Sequence, residues 1–238
     1  MLDPPILDAI MALDPQPRGK RWTSLSYCIV DAVWSIGARY NTVVVPIVNR
    51  IAEQASDSTP LAMSTEPYGP DPVPVPAFLE RYRDTTALQA VANDQRTSPS
   101  GGILKAEAAL SYARVFAEHQ VTNLATAAVL SVDDPSRWER VDRALAGVRG
   151  DGQSGVRRGY LWMLIGHDDL VKPDRMVLRW LARHGITVSS DQAREILAEA
   201  ASAVSDKLGR RVTPWMVDHA IWRAERTKRS DAVKPSMP

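Results

Sequence analysis

Residues 148–185 read VRGDGQSGVRRGYLWMLIGHDDLVKPDRMVLRWLARHG, and Gly150, Gly152 and Gly155 fall between two helical patterns. Residues from about 136 to 146 form the pattern before the glycines, and Tyr160, Leu161, Met163, Leu164 and Ile165 form an apolar one after them. The order is helix, tight turn, helix. Glycine admits positive φ and close backbone approach, so such a turn can leave amides at the start of the second helix facing an anion, of which a phosphate is the natural case. Because any two helices need a connection, the turn alone leaves a plain linker open as well. Further on, Asp174 follows Pro173 and can cap a helix carrying Met176, Val177, Trp180 and Leu181.

Helical periodicity extends through the rest of the chain. Leu25, Cys28, Ile29, Ala32, Val33, Ile36 and Tyr40 recur at three and four, as do Ala193, Ile196, Leu197, Ala200, Val204 and Leu208, which marks one apolar stripe on each of two helices. Ser189 with Gln192 reads as a capping box, and Thr213 before Pro214 reads as a cap followed by a first-turn proline. The nearest approach to a strand is residues 43–48, where Pro46 favours a helix start after Asn41 and Thr42. The expected fold class is all-α. Residues 57–76 contain six of the seventeen prolines and read as an extended connector, either a surface loop or a polyproline ligand. The last dozen residues read as a frayed tail.

Composition narrows the function classes. The 238 residues are 45% hydrophobic and 24% charged, which fits an ordinary folded protein. No apolar run reaches the roughly eighteen residues of a membrane span, and the first residues lack the basic start and apolar centre of a signal peptide, so a cytoplasmic protein with no membrane partner is expected. The one cysteine, Cys28, excludes an internal disulfide and a cysteine-ligated metal or iron-sulfur site. Net charge is only +1, yet residues 149–183 hold seven Lys or Arg against four acids, and residues 207–234 eight against three. A phosphate-facing surface needs local rather than global charge, although solvated helix faces give the same tally. His167, Asp168 and Asp169 are adjacent and seldom able to converge on one ion. Asp218 and His219 have no serine at triad spacing, and Trp215 and Trp222 read as a core stripe.

Taken in order, these elements resemble the helix-hairpin-helix DNA glycosylases of the endonuclease III type. The resemblance covers about ninety residues, from about 96 to 185. Gly101, Gly102, Ile103, Leu104, Lys105, Ala106 and Glu107 resemble the family's Gly-x-x-x-Lys-Ala element, and residues 138–148 its helix leading into the hairpin. Gly150 to Gly155 stand at the hairpin, and Pro173 and Asp174 at the family's Val-Asp or Pro-Asp pair, 22 residues beyond Gly152.

What the resemblance implies is specific. The fold would be a two-lobed helical bundle: residues 22–168 as a barrel lobe holding the hairpin and the connector, residues 1–21 with 169–228 as a second lobe, and residues 229–238 as a flexible tail. Asp174 would be the catalytic carboxylate. Gly150, Gly152, Ser154, Gly155, Arg157, Arg158 and Lys172 would contact double-stranded DNA, and Arg39 and Tyr40 would reach the base pocket or the duplex gap. Gln153, Ser154, Gly155 and Val156 stand where lyase members carry a lysine, so a base-excision hydrolase of DNA repair would release the base without cutting the strand. No metal is implied; a monovalent cation at the hairpin is compatible, and a bacterial member would work at the nucleoid. The alternative is a DNA-binding relative of the same fold without catalysis.

Overall fold

The computed structural model describes residues 3–152, 155–171 and 175–231. The chain divides into two compact units, Gly19–His167 and Met1–Arg18 with Asp168–Pro238.

The larger unit is built round α2 (Leu25–Ser35), in which every residue from Leu25 to Trp34 is buried. A helix covered on all faces is an interior helix, so the single stripe expected from Leu25 to Tyr40 is corrected on two counts. All sides of α2 are packed, and the helix stops at Ser35. The chain turns extended at Ile36 and left-handed at Gly37, then enters a π-helical turn (Tyr40–Val44) that runs into α3 (Val45–Gln54). Pro46 lies in the first turn of α3, where its missing N–H costs nothing. Then come α4 (Val75–Arg81), α5 (Thr85–Val91), α6 (Lys105–Glu118), α7 (Leu124–Asp133), α8 (Pro135–Ala146) and α9 (Val156–Ile165). Helices α6 and α9 pack directly on α2.

The fold is mostly helical with one strand pair, not purely helical. Strands β1 (Lys20–Trp22) and β2 (Leu61–Met63) run antiparallel, with Arg21 opposite Ala62. Three-residue strands are too short to show alternation in sequence, and here the pairing continues into Thr23, whose N–H donates to Pro60 O at 3.0 Å. The connector is also more than a surface loop. Asp71 accepts from the N–H groups of Leu25 (3.0 Å) and Leu124 (2.9 Å), capping α2 and α7 together, while Val73 O accepts from the hydroxyls of Ser24 and Ser26. Helix starts carry unanswered donors, and this segment supplies acceptors to two of them.

The smaller unit holds α1 (Pro4–Ala12), α10 (Arg175–Arg183), α11 (Ser190–Leu208) and α12 (Pro214–Asp231). Ser189 and Gln192 form the reciprocal capping box, and Thr213 Oγ1 accepts from Met216 N–H at 3.3 Å to start α12. Helix α12 continues through residues 229–231, which were expected in the tail. Among the described residues no helix is long and apolar enough to cross a membrane.

One face of α12 carries a stacked ladder. The Arg18 guanidinium lies 4.3 Å from the Trp215 ring centre, Trp215 stacks on His219 at 4.7 Å, and His219 stacks on Trp222 at 5.6 Å. Arg226 also lies over the Trp222 ring, at 5.0 Å. Burial, with Arg223 and Arg18 nearby, pulls the His219 imidazolium down to about 4. An unfolded histidine titrates near 6.5, so between about pH 4 and 6.5 the unfolded chain binds the extra proton and stability rises with pH. Thermal melts from pH 4 to 7 should show His219→Gln losing about 2 kcal/mol of the wild-type pH dependence in that window, a figure discounted for partial exposure. Parallel profiles for the two proteins would refute the assignment.

Candidate functional site

Between α8 and α9 the chain turns on three glycines in the left-handed half of φ space: Gly150 (φ 92°), Gly152 (93°) and Gly155 (68°). Asp134 caps the start of α8 by accepting from Arg137 N–H at 2.9 Å, and Gly155 occupies the cap position of α9. A side chain at Gly150 would bring its Cβ to 2.7 Å from Thr97 Cγ2, so the turn is pressed against the segment before α6 as well as held at positive φ.

Two buried cations hold this region. Arg157, 2% exposed, reaches back from α9 and donates to Gly150 O, to Thr97 O at 2.7 Å and to Val33 O at 3.5 Å. Lys105, also 2% exposed, donates from Nζ to Trp34 O and Ile36 O at 2.9 Å and to Gln95 Oε1 at 3.1 Å. Burial and the neighbouring Arg157 bring the Lys105 ammonium down to about 8, and burial lowers the Arg157 guanidinium as well. Opposite them Asp151, between two of the glycines, accepts from Tyr112 OH at 2.5 Å and from Arg158 N–H at 3.0 Å. Burial and the Asp151 carboxylate push the Tyr112 phenol up.

These bonds change what the start of α9 can do. The N–H of Arg157 donates to Asp151 O and that of Arg158 to the Asp151 carboxylate, so two amides expected to face a phosphate are answered from within. Arg157 is corrected in the same way. Its side chain is turned inward as a strut, because buried main-chain carbonyls need donors more than an external anion does. Arg158 remains part-exposed and pairs with Asp142 and Asp151. The carbonyl of Gly150, part of the hairpin surface offered to a monovalent cation, already accepts from Arg157.

Outside the hairpin a groove of about 300 Å³ runs between it and the Thr97 to Gly102 loop, with Ser98, Ser100 and Arg149 on its walls. The loop is drawn tight, since a Cβ on Gly102 would lie 2.2 Å from Ser98 N, and Arg96 donates to Gly102 O at 2.8 Å. Arg149 is exposed on the groove rim and has no carboxylate partner among the described residues. Of the remaining candidates, Arg39 is exposed and Tyr40 is half-buried, with its hydroxyl donating to Asp31 Oδ2 at 2.9 Å. Ser154, Lys172 and Asp174 lie outside the described residues.

Sequence reasoning missed Asp31, Asp151 and the inward role of Arg157. Asp31 is fully buried and also accepts from Trp22 Nε1 at 2.7 Å and Ser35 Oγ at 2.6 Å, which anchors the segment carrying Arg39 and Tyr40. A carboxylate inside the apolar run LSYCIVDAVWS was the available signal, because such a group has to be answered by donors.

The family described as a domain of unknown function, DUF8548, matches residues 5–226. The chain belongs to that family. No curated protein and no solved structure matches it. The match spans both units of this DUF8548 chain, hairpin and buried cations included.

Replacing Arg157 with methionine should lower the stability of the DUF8548 chain by about 3 kcal/mol, because it strips donors from one buried and two part-buried carbonyls. In any folded population it should raise the Lys105 titration above about 8, since a neighbouring charge is gone. Denaturant melts and NMR titration of the Lys105 side chain read these effects. An unchanged melt would remove the strut role.

Proposed function

We propose that this chain binds duplex DNA and releases a damaged or modified base from it as a monofunctional glycosylase, with the two-lobed helix-hairpin-helix glycosylase architecture. The observation that carries the DNA part is the α8–hairpin–α9 unit. Its turn is braced from inside by Arg157 and Asp151, while Arg149 and the two serines of the facing loop stand on the outer groove. Hydroxyls and a guanidinium with no carboxylate partner among the described residues are groups that position a phosphate backbone. The division of the chain into a central unit and one built from both termini supports the two-lobed reading.

The catalytic part rests on the sequence pair Pro173 and Asp174. Cleaving an N-glycosidic bond builds positive charge on the deoxyribose, which a carboxylate can stabilise while it orients or deprotonates the attacking water. The target nucleotide has to leave the stack first. Tyr40 and Arg39, on the segment that Asp31 anchors, are suited to fill or flank the vacated space. With no lysine at Gln153 to Val156, no Schiff base forms there and the strand stays intact. Such an enzyme acts in the cytoplasm, at the nucleoid of a bacterial cell.

Duplexes carrying uracil, alkylated, oxidised and hypermodified bases, incubated with wild type and with Asp174→Asn of matched folding, test this directly. Base release from one substrate class, lost by at least a hundredfold in the variant, is the expected result, and Arg149→Ala should flatten the salt dependence of binding by about one phosphate. Salt-dependent binding without release from any duplex would replace the enzyme with a non-catalytic DNA-binding relative. Absence of salt-dependent binding would end both readings.

A further inference from the structure

We propose that the exposed face of α10, in the smaller unit, is a second phosphate-contacting surface, with Arg175 and Arg179 as its contact residues. The inference rests on the DNA-binding reading and adds to it a surface distinct from the hairpin.

Helix α10 reads RMVLRWLAR and contains no acid. Arg175, Arg179 and Arg183 are four residues apart, which places them on one strip of the helix with a rise of roughly 6 Å between neighbours. All three are exposed, as is Ala182 beside them, whereas Val177, Trp180 and Leu181 are buried on the opposite side. Like charges at this spacing disfavour a helix by about 0.2–0.5 kcal/mol per pair, and a face that merely needs solvation normally mixes signs. Folding gives a reason for Arg183, which pairs with the buried Glu225, but none among the described residues for Arg175 and Arg179.

Several acids of the smaller unit are engaged with other cations among the described residues. Glu225 pairs with Arg183, Asp168 with Arg18 at 3.2 Å, and Asp169 with Arg211 at 3.4 Å. Arg175 and Arg179 have no carboxylate partner among the described residues, and Arg179 Nε donates to Arg175 O at 3.0 Å, which fixes its guanidinium along the helix. The result is a strip of two forks with no carboxylate partner among the described residues. It suits a polyanion of regular spacing, and a duplex strand offers one phosphate per about 3.4 Å of axis. An anionic membrane fits less well. The apolar residues of α10 are spent inside the unit, and the exposed large hydrophobic residues Leu61, Met63, Tyr68, Val129, Val132 and Leu208 all lie on other elements.

The test compares full-length wild type, Arg175→Gln/Arg179→Gln and Arg175→Lys/Arg179→Lys for binding to an unmodified duplex between 50 and 200 mM salt, after equal melts confirm folding. The glutamine pair should weaken low-salt affinity at least tenfold and make the slope of log K against log salt shallower by about two, while the lysine pair keeps most of the slope. If wild type and Arg149→Ala differ as expected but the glutamine pair matches wild type, the α10 surface is refuted and the hairpin reading stands. If wild type shows no salt-dependent binding, the DNA reading fails and takes this inference with it. Loss of binding to phosphatidylserine vesicles with duplex binding intact would overturn the proposal in favour of a membrane surface.

Discussion

The carbonyls of Val33 and Trp34 at the end of α2 are buried away from water, and the support of the hairpin follows from how they and Ile36 O are answered. Val33, Trp34 and Ile36 present oxygens at the close of a helix buried on all sides, and Arg157 and Lys105 bring the donors. Burying two cations side by side is costly, which is why the Lys105 ammonium is lowered to about 8. Leaving those carbonyls unanswered would be costly as well, at roughly 1–3 kcal/mol each. The cations prevail because each answers several acceptors at once: Arg157 adds Gly150 and Thr97, and Lys105 adds Gln95.

A shared support follows from that sharing. The same guanidinium that closes α2 fixes the first glycine of the hairpin and the start of the facing loop, so the groove cannot change width without disturbing the core. From the other side, Lys105 holds Ile36 O, and Asp31 holds Tyr40, so the turn carrying Arg39 and Tyr40 is tied to α2 as well. Two surfaces separated by more than a hundred residues in sequence are thus indexed to one helix end. A surface that has to recognise a rigid ligand gains from such pre-organisation, because less ordering entropy is lost on binding.

What the sequence revealed was local, and what it hid depended on tertiary contacts. The hairpin, the capping box at Ser189 and Gln192, and the start at Thr213 and Pro214 are legible because each is settled by neighbours within about one turn. The burial of α2 on every face, the capping of α2 and α7 by Asp71, and the three-residue strand pair depend on partners tens of residues away. Arg157 is the clearest case. On a first helical turn after a glycine turn it has the pattern of a phosphate contact, and only the orphaned carbonyls of another helix turn it inward. Asp151 misleads in the opposite direction, since a residue placed between turn glycines proves to be the internal anion that the start of α9 needs.

Net charge conceals the electrostatics for a related reason. With 29 basic and 28 acidic residues the chain is balanced overall, but the balance is not uniform in space. Several carboxylates close to the candidate surfaces are spent inward or on other cations: Asp151 on Tyr112 and α9, Asp142 on Arg158 and Trp162, Asp168 on Arg18, Glu225 on Arg183. Arg149, Arg175 and Arg179 are left with no such partner among the described residues, and all three are exposed. Internal pairing of acids thus creates positive surface in a nearly neutral protein. Such a surface can attract a polyanion at short range, within a Debye length of about 8 Å at physiological salt, without the long-range pull of a strongly basic chain.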